Sequence, residues 1–154
     1  MQRGHKKVRE KHFTTIKQAY DEFYASLLRK GKLPVKDTGV GYWGMSVADE
    51  IYQFFLDHNL SKYRRFLDLG AGDFKVAMIA SLFTQAEGIE YDTWLVGEAQ
   101  RIRSRLMHIP SANAVTITQG DFMNHDLSSY DVVFWRKIAK KTEDSEGKWI
   151  AKES

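Results

Sequence analysis

The run Arg65-Phe66-Leu67-Asp68-Leu69 leads straight into Gly70-Ala71-Gly72-Asp73, and apolar residues at helical spacing, Val76, Ile79, Ala80 and Phe83, follow. A short, mostly apolar run that stops at a glycine has the pattern of a strand buried in a parallel sheet. Strand, glycine-rich turn and helix in that order constrain the chain more than any other feature. Glycines at 70 and 72 let backbone and ligand approach closely, and the helix behind them presents N–H groups that lack partners.

The same alternation continues downstream. Gly88-Ile89-Glu90-Tyr91 reads as a second short strand, about 93–107 as a helix carrying Leu95, Val96, Ala99, Ile102 and Leu106, Ala114–Thr118 as a third strand and Asp131–Trp135 as a fourth. Strands alternating with helices imply right-handed crossovers and a mainly parallel sheet, hence an α/β fold with a three-layer α/β/α sandwich. Upstream, 10–30 reads as a helix ended by Gly31 and Pro34, followed by a glycine-rich loop through Tyr42, Trp43 and Gly44. Ser46 to Asp49 has the form of a capping box opening a helix that Asn59 stops.

Composition and charge narrow the function classes. With 43% hydrophobic and 28% charged residues over 154 positions, the chain is an ordinary one-domain globular sequence. There is no cysteine, which removes disulfides, thiolate metal sites and a cysteine nucleophile. No apolar stretch approaches the ~20 residues of a membrane span, and the basic start MQRGHKKVREKHF has no apolar run behind it, so a soluble, cytoplasmic protein is expected. Residues 1–36 hold ten Lys and Arg against three Asp and Glu, a net of +7, which leaves −4 for the rest of a chain whose total is +3. Such a region steers toward nucleic acid or another polyanion. Its Phe13, Ile16, Tyr20, Phe23, Tyr24 and Leu27, however, keep helical spacing, and that stripe is expected to pack on the domain. Three units follow: a basic helical segment 1–36, a ligand-binding core 37–135, and 136–154 as a charged tail or a hairpin turned at Glu146-Gly147.

A nicotinamide-binding turn would read G-x-G-x-x-G and receive a pyrophosphate. Here Lys75 stands at the third glycine position and Asp68 lies inside the strand, awkward for a diphosphate and well placed for a cationic ligand such as S-adenosylmethionine with its ammonium and sulfonium. Glu90 follows Asp68 at nearly the offset at which an acid accepts from ribose hydroxyls, and Asp121 after the third strand is placed to accept from an adenine amino group while Phe122 packs the ring. The five histidines show no metal-ligand spacing, so no metal is expected.

FLDLGAGDF, GIEYD, TQGDF and SYDVVF, in that order over roughly 40–135, resemble the successive signatures of class I, Rossmann-like S-adenosylmethionine-dependent methyltransferases. The resemblance implies that Asp68, Gly70 and Gly72 line the methionine end of the cofactor, that Glu90 holds the ribose, that Asp121 and Phe122 contact adenine, and that Tyr42 to Gly44 close over it. TGVGYWGMS and DLSSYDVVF are also similar to small protein lysine methyltransferases, which implies a protein acceptor, with Trp135, Tyr42 or Trp43 as walls of an acceptor channel. The sequence departs from the family in two ways. Phe74 stands where a glycine is frequent, and the strand pattern stops after the fourth of the usual seven, which shortens the sheet and the acceptor side. A non-catalytic S-adenosylmethionine-binding module, or a nucleic-acid-binding module led by the basic region, is the alternative. A homodimer is expected where a short sheet leaves an edge uncovered.

Overall fold

A computed structural model describes residues 2–135, so the expectation for 136–154 lies outside the described residues. The chain opens with α1 (Gln2–Arg29), whose apolar stripe is buried from Ile16 to Leu27. The helix begins well before residue 10, because residues 3–9 are a polar turn-by-turn continuation that no apolar period marks. It ends in a Schellman motif: Gly31 adopts φ +73°, its N–H bonds the Leu28 carbonyl, and the Lys32 N–H bonds that of Leu27.

The stretch expected as a loop is instead an antiparallel hairpin of β1 (Val35–Asp37) and β2 (Tyr42–Gly44). Asp37 turns it by accepting the Gly39 N–H at 2.9 Å, with Gly39 at φ +84°. Helix α2 (Ala48–Asp57) follows. Ser46 does not cap it: Val47 holds the cap position with no side-chain hydrogen bond, while the Ser46 carbonyl accepts from Lys75. Asn59 ends this segment in the left-handed region at φ 48°.

The remaining elements are β3 (Arg65–Leu69), α3 (Lys75–Ala80), β4 (Gln85–Glu90), α4 (Thr93–Ser104), the one-turn α5 (Pro110–Asn113), β5 (Thr116–Gln119) and β6 (Val132–Trp135). The four strands β3 to β6 form one parallel sheet in the order β5-β4-β3-β6. Two crossovers step outward from β3 to β4 and β5, and the third returns to place β6 on the other side of β3, which makes a switch point beside the glycine-rich turn.

Side chains alternate across the sheet. On one face Phe66, Ala86, Ile117 and Phe134 join α1, α2, α3 and α4 in a single core cluster. The other face carries Leu67, Leu69 and Ile89, packed by Phe122, Tyr130, Val133 and Trp135. Its cover among the described residues is one 3-10 turn (Phe122–Asn124), because only twelve residues, 120–131, join β5 to β6. An ion-pair network closes the far end of that face: Arg65 bonds Glu87 at 2.8 Å and the Tyr130 hydroxyl bonds the same carboxylate at 2.5 Å. No helix among the described residues is long and apolar enough to cross a membrane.

Candidate functional site

Every strand of a parallel sheet points its carboxyl end the same way, so the residues after β3, β4 and β5 gather along one edge. Asp68, only 3% exposed, pairs in register with Gly88, and Leu69 with Ile89. Beyond them the chain folds back through Gly70 at φ +66° and Gly72 at φ +58°, with the Ala71 N–H bonded to the Ile89 carbonyl at 2.9 Å. Glu90 reaches across from β4. Its Oε1 accepts the Gly72 N–H at 2.9 Å and its Oε2 accepts the Asp92 N–H at 2.7 Å. Burial pushes the Glu90 carboxyl up from its ordinary range, and those two N–H groups oppose the shift.

Phe74 takes the position expected to limit access, and it does so in the left-handed region at φ +64° with its ring fully buried. A side chain on Gly88 would stand 2.6 Å from that ring, so the glycine in β4 makes room for the phenylalanine in the turn.

Four buried polar side chains behind the turn could not be assigned from sequence. The Tyr24 hydroxyl donates to Asp73 Oδ2 at 2.6 Å, the Tyr20 hydroxyl donates to the Asp73 carbonyl at 2.7 Å, and Asp73 Oδ1 accepts the Lys75 N–H at 3.0 Å. The Lys75 ammonium lies 4.8 Å from the centre of the Tyr24 ring and donates to the Ser46 carbonyl. Burial raises the Asp73 carboxyl above its usual range against the pull of Tyr24 and Lys75, and it drives the Tyr24 phenol far up. These contacts tie α1 and the segment before α2 to the turn. They join positions some fifty residues apart, 49 for Tyr24 and 53 for Tyr20, which no local pattern reveals.

The hairpin lies over the turn. Trp43 is 5% exposed, its Cδ1 stands 2.7 Å from where a side chain on Gly72 would begin, and Trp94 meets it edge-on at 5.8 Å. The Trp43 indole faces the Asp73 carboxylate, but its Nε1 reaches hydrogen-bonding geometry with no partner among the described residues. Lys36 pins the hairpin to Asp92 at 2.8 Å and sits over the Trp94 ring. Tyr42, Trp43, Asp68, Gly70 and Gly72 thus come together around one cavity of about 50 Å³. Glu90 lies beneath it through Gly72. Asp121 and Phe122 share the sheet edge, where the Gly120 N–H bonds the Glu90 carbonyl, but they do not line the cavity. Asp121 is exposed and caps the 3-10 turn by accepting the Met123 N–H, while Phe122 packs on the Leu67 face.

The donor set suits a ligand with a cationic end and a ribose: three buried carboxylates (Asp68 and Asp73 lining the cavity, Glu90 behind Gly72), a cradle of glycine backbone and no lysine or arginine lining the cavity. The space does not yet match, since nucleoside-sized ligands occupy clefts of ~300 Å³ or more. Among the described residues no three His, Asp or Glu come together in a metal-binding group.

No family model and no curated protein matches the chain. Solved structures do. An RNA methyltransferase from Salinibacter ruber in complex with S-adenosyl-L-homocysteine is 26% identical with a TM-score of 0.47, over 59% of this chain and 60% of that one. The CcbJ methyltransferase from Streptomyces caelestis is 23% identical with a TM-score of 0.47, over 60% and 36%. CalS10, an amino pentose methyltransferase from Micromonospora echinaspora with S-adenosylmethionine bound, is 22% identical with a TM-score of 0.46, over 60% and 37%. The chain therefore spans between about a third and three fifths of the length of these proteins. All three are methyltransferases, two of them with S-adenosyl-L-homocysteine or S-adenosylmethionine bound, and the described residues of this chain form a four-stranded parallel sheet with helices.

Proposed function

We propose that the chain binds S-adenosylmethionine at the glycine-rich turn and serves methyl transfer to an acceptor nucleophile. One observation carries the reading: an acid inside β3, a tight turn with glycines at 70 and 72 and the Glu90 carboxylate bonded to that turn's own backbone all meet at the switch point of a parallel sheet. Asp68 and Gly70 would hold the ammonium end. Glu90 would accept from the ribose, since each carboxylate oxygen has a lone pair beyond the one its backbone N–H uses. Asp121 and Phe122 would meet the adenine from the β5 edge, and Tyr42 to Gly44 would close over the whole. When bound, the cofactor supplies a methyl group on a positively charged sulfur. The chain's contribution is alignment and exclusion of water, for which the Trp43 cover is suited.

The acceptor in this reading is a protein side chain such as lysine, which must first lose a proton at a cost of about 4.6 kcal/mol at pH 7. Trp135 does not serve as a channel wall, because it packs with Leu67 and Leu69 on the face away from the turn. That observation favours a second reading in which the chain binds the cofactor without turnover. Equilibrium dialysis with labelled S-adenosylmethionine tests the first step, with Glu90→Gln and Asp68→Asn each expected to lose about tenfold or more in affinity. Unchanged affinity in both variants would remove the site. Labelled methyl appearing in added protein substrates separates the enzyme from the module.

A further inference from the structure

Away from the turn, a groove of about 540 Å³ runs between the first turns of α1 and the end of α3, reaching α5. His5, Arg9 and His12 line it from α1 at spacings of four and three, so they share one helix face. Ser111 lines it from α5, and no Asp or Glu is among its lining residues. Arg9 is the unusual member. It is half-buried, its guanidinium lies over the Phe83 ring at 4.5 Å, and it makes no hydrogen bond or ion pair among the described residues. A guanidinium held over an aromatic ring, with no carboxylate partner among the described residues, is prearranged to receive the oxygens of a phosphate. Gly4, beside it, leaves open space for close approach.

We infer that this groove binds a phosphate of a nucleic-acid strand, with Arg9 as the anchoring contact. The neighbourhood decides for a strand over a small phosphate compound. Arg3, Lys6, Lys7, Arg9 and Lys11 stand against Glu10 alone over this stretch of helix. Wound at ~3.6 residues per turn, they set positive charge around the helix beside Arg9, a field that favours a polyanionic strand over a single phosphate. The site is independent of the cofactor reading, since none of its lining residues belongs to the glycine-rich turn.

The test is fluorescence anisotropy with a labelled single-stranded RNA of about 20 nucleotides, titrated with the full chain at salt from about 50 to about 200 mM. We expect binding that weakens at least about tenfold over that range, because several phosphates release counterions. Arg9→Gln should weaken it about fivefold or more and flatten the salt slope by about one unit, with S-adenosylmethionine binding unchanged. Ser111→Glu, which sets an acid in the groove at an exposed position, should weaken binding similarly and carries the test if Arg9→Gln fails to fold. Three results would overturn the inference: no binding at low salt, wild-type affinity in Ser111→Glu together with any folded Arg9→Gln, or complete displacement of the RNA by ~10 mM inorganic phosphate at constant ionic strength, which would mark a small-anion site.

Discussion

The indole of Trp43 occupies the place that a side chain on Gly72 would need, with Cδ1 2.7 Å from the ideal Cβ position. Gly70, two residues earlier and equally left-handed, has nothing within 4 Å of its own ideal Cβ. The two glycines are therefore required for different reasons. Alanine at 70 meets only the backbone penalty of a left-handed residue, about 1–2 kcal/mol. Alanine at 72 adds a collision with an aromatic ring that is wedged between Phe23, Tyr24 and Trp94. Urea unfolding should rank Gly72→Ala as the more damaging by at least about 1 kcal/mol. Equal losses would mean that the hairpin does not press on the turn.

Tyr24→Phe removes the donor that faces Asp73 and leaves a buried carboxylate short of a partner, which typically costs about 1–3 kcal/mol. The sign of its pH dependence follows from burial. The folded state holds the Asp73 proton more tightly than the unfolded chain does, so this group's contribution to stability falls as pH rises from its usual value of 3.8 through the higher folded one. Loss of the phenol raises the folded value further. The deficit of Tyr24→Phe should then be larger at pH 7 than near pH 4, measured by denaturant midpoints in the two buffers. A deficit independent of pH would show that Asp73 does not feel Tyr24.

Asp92 has two tasks, capping α4 through the Leu95 N–H and pairing with Lys36 of the hairpin. Burial works to raise its carboxyl, but Lys36 and the Leu95 N–H hold it below its usual 3.8. Its stabilisation is present above that value and lost as pH falls through the lower folded one. Asp92→Ala should cost about 1 kcal/mol, mainly as a lost cap. Lys36→Ala, which removes an ammonium whose side chain is 40% exposed while Asp92 keeps its backbone donors, should cost less than about 1 kcal/mol yet loosen the hairpin. The readout is quenching of tryptophan emission by acrylamide: greater access in Lys36→Ala than in Asn113→Ala, an exposed control, supports the latch, and identical access contradicts it.

The parallel sheet and the acids on its edge were legible because β3, β4 and β5 are short runs stopped by glycine or an acid and β6 is a short apolar run of its own, and those signals are local. The hairpin was not, because Val35–Asp37 and Tyr42–Gly44 are three residues each and their pairing depends on Trp43 finding the pocket among Phe23, Tyr24 and Trp94. Ser46 misled for a related reason: its neighbours have the form of a cap, but the buried Lys75 claims its carbonyl and the helix starts two residues later. The same applies to α1. Its stripe announced a packed helix, while the role of Tyr20 and Tyr24 in holding Asp73 exists only once α1 lies against α3.

The direct test of the cofactor site is thermal unfolding of the chain alone and with S-adenosylmethionine, S-adenosylhomocysteine, NAD and ATP in turn. A ligand at ~100 times its dissociation constant adds about 2.7 kcal/mol, which for a chain of this size raises Tm by roughly 5 °C. We expect that rise with the two adenosyl sulfur compounds and not with NAD or ATP. A rise with NAD instead, or none with either sulfur compound, would contradict the assignment of the Asp68, Gly70 and Glu90 turn to S-adenosylmethionine.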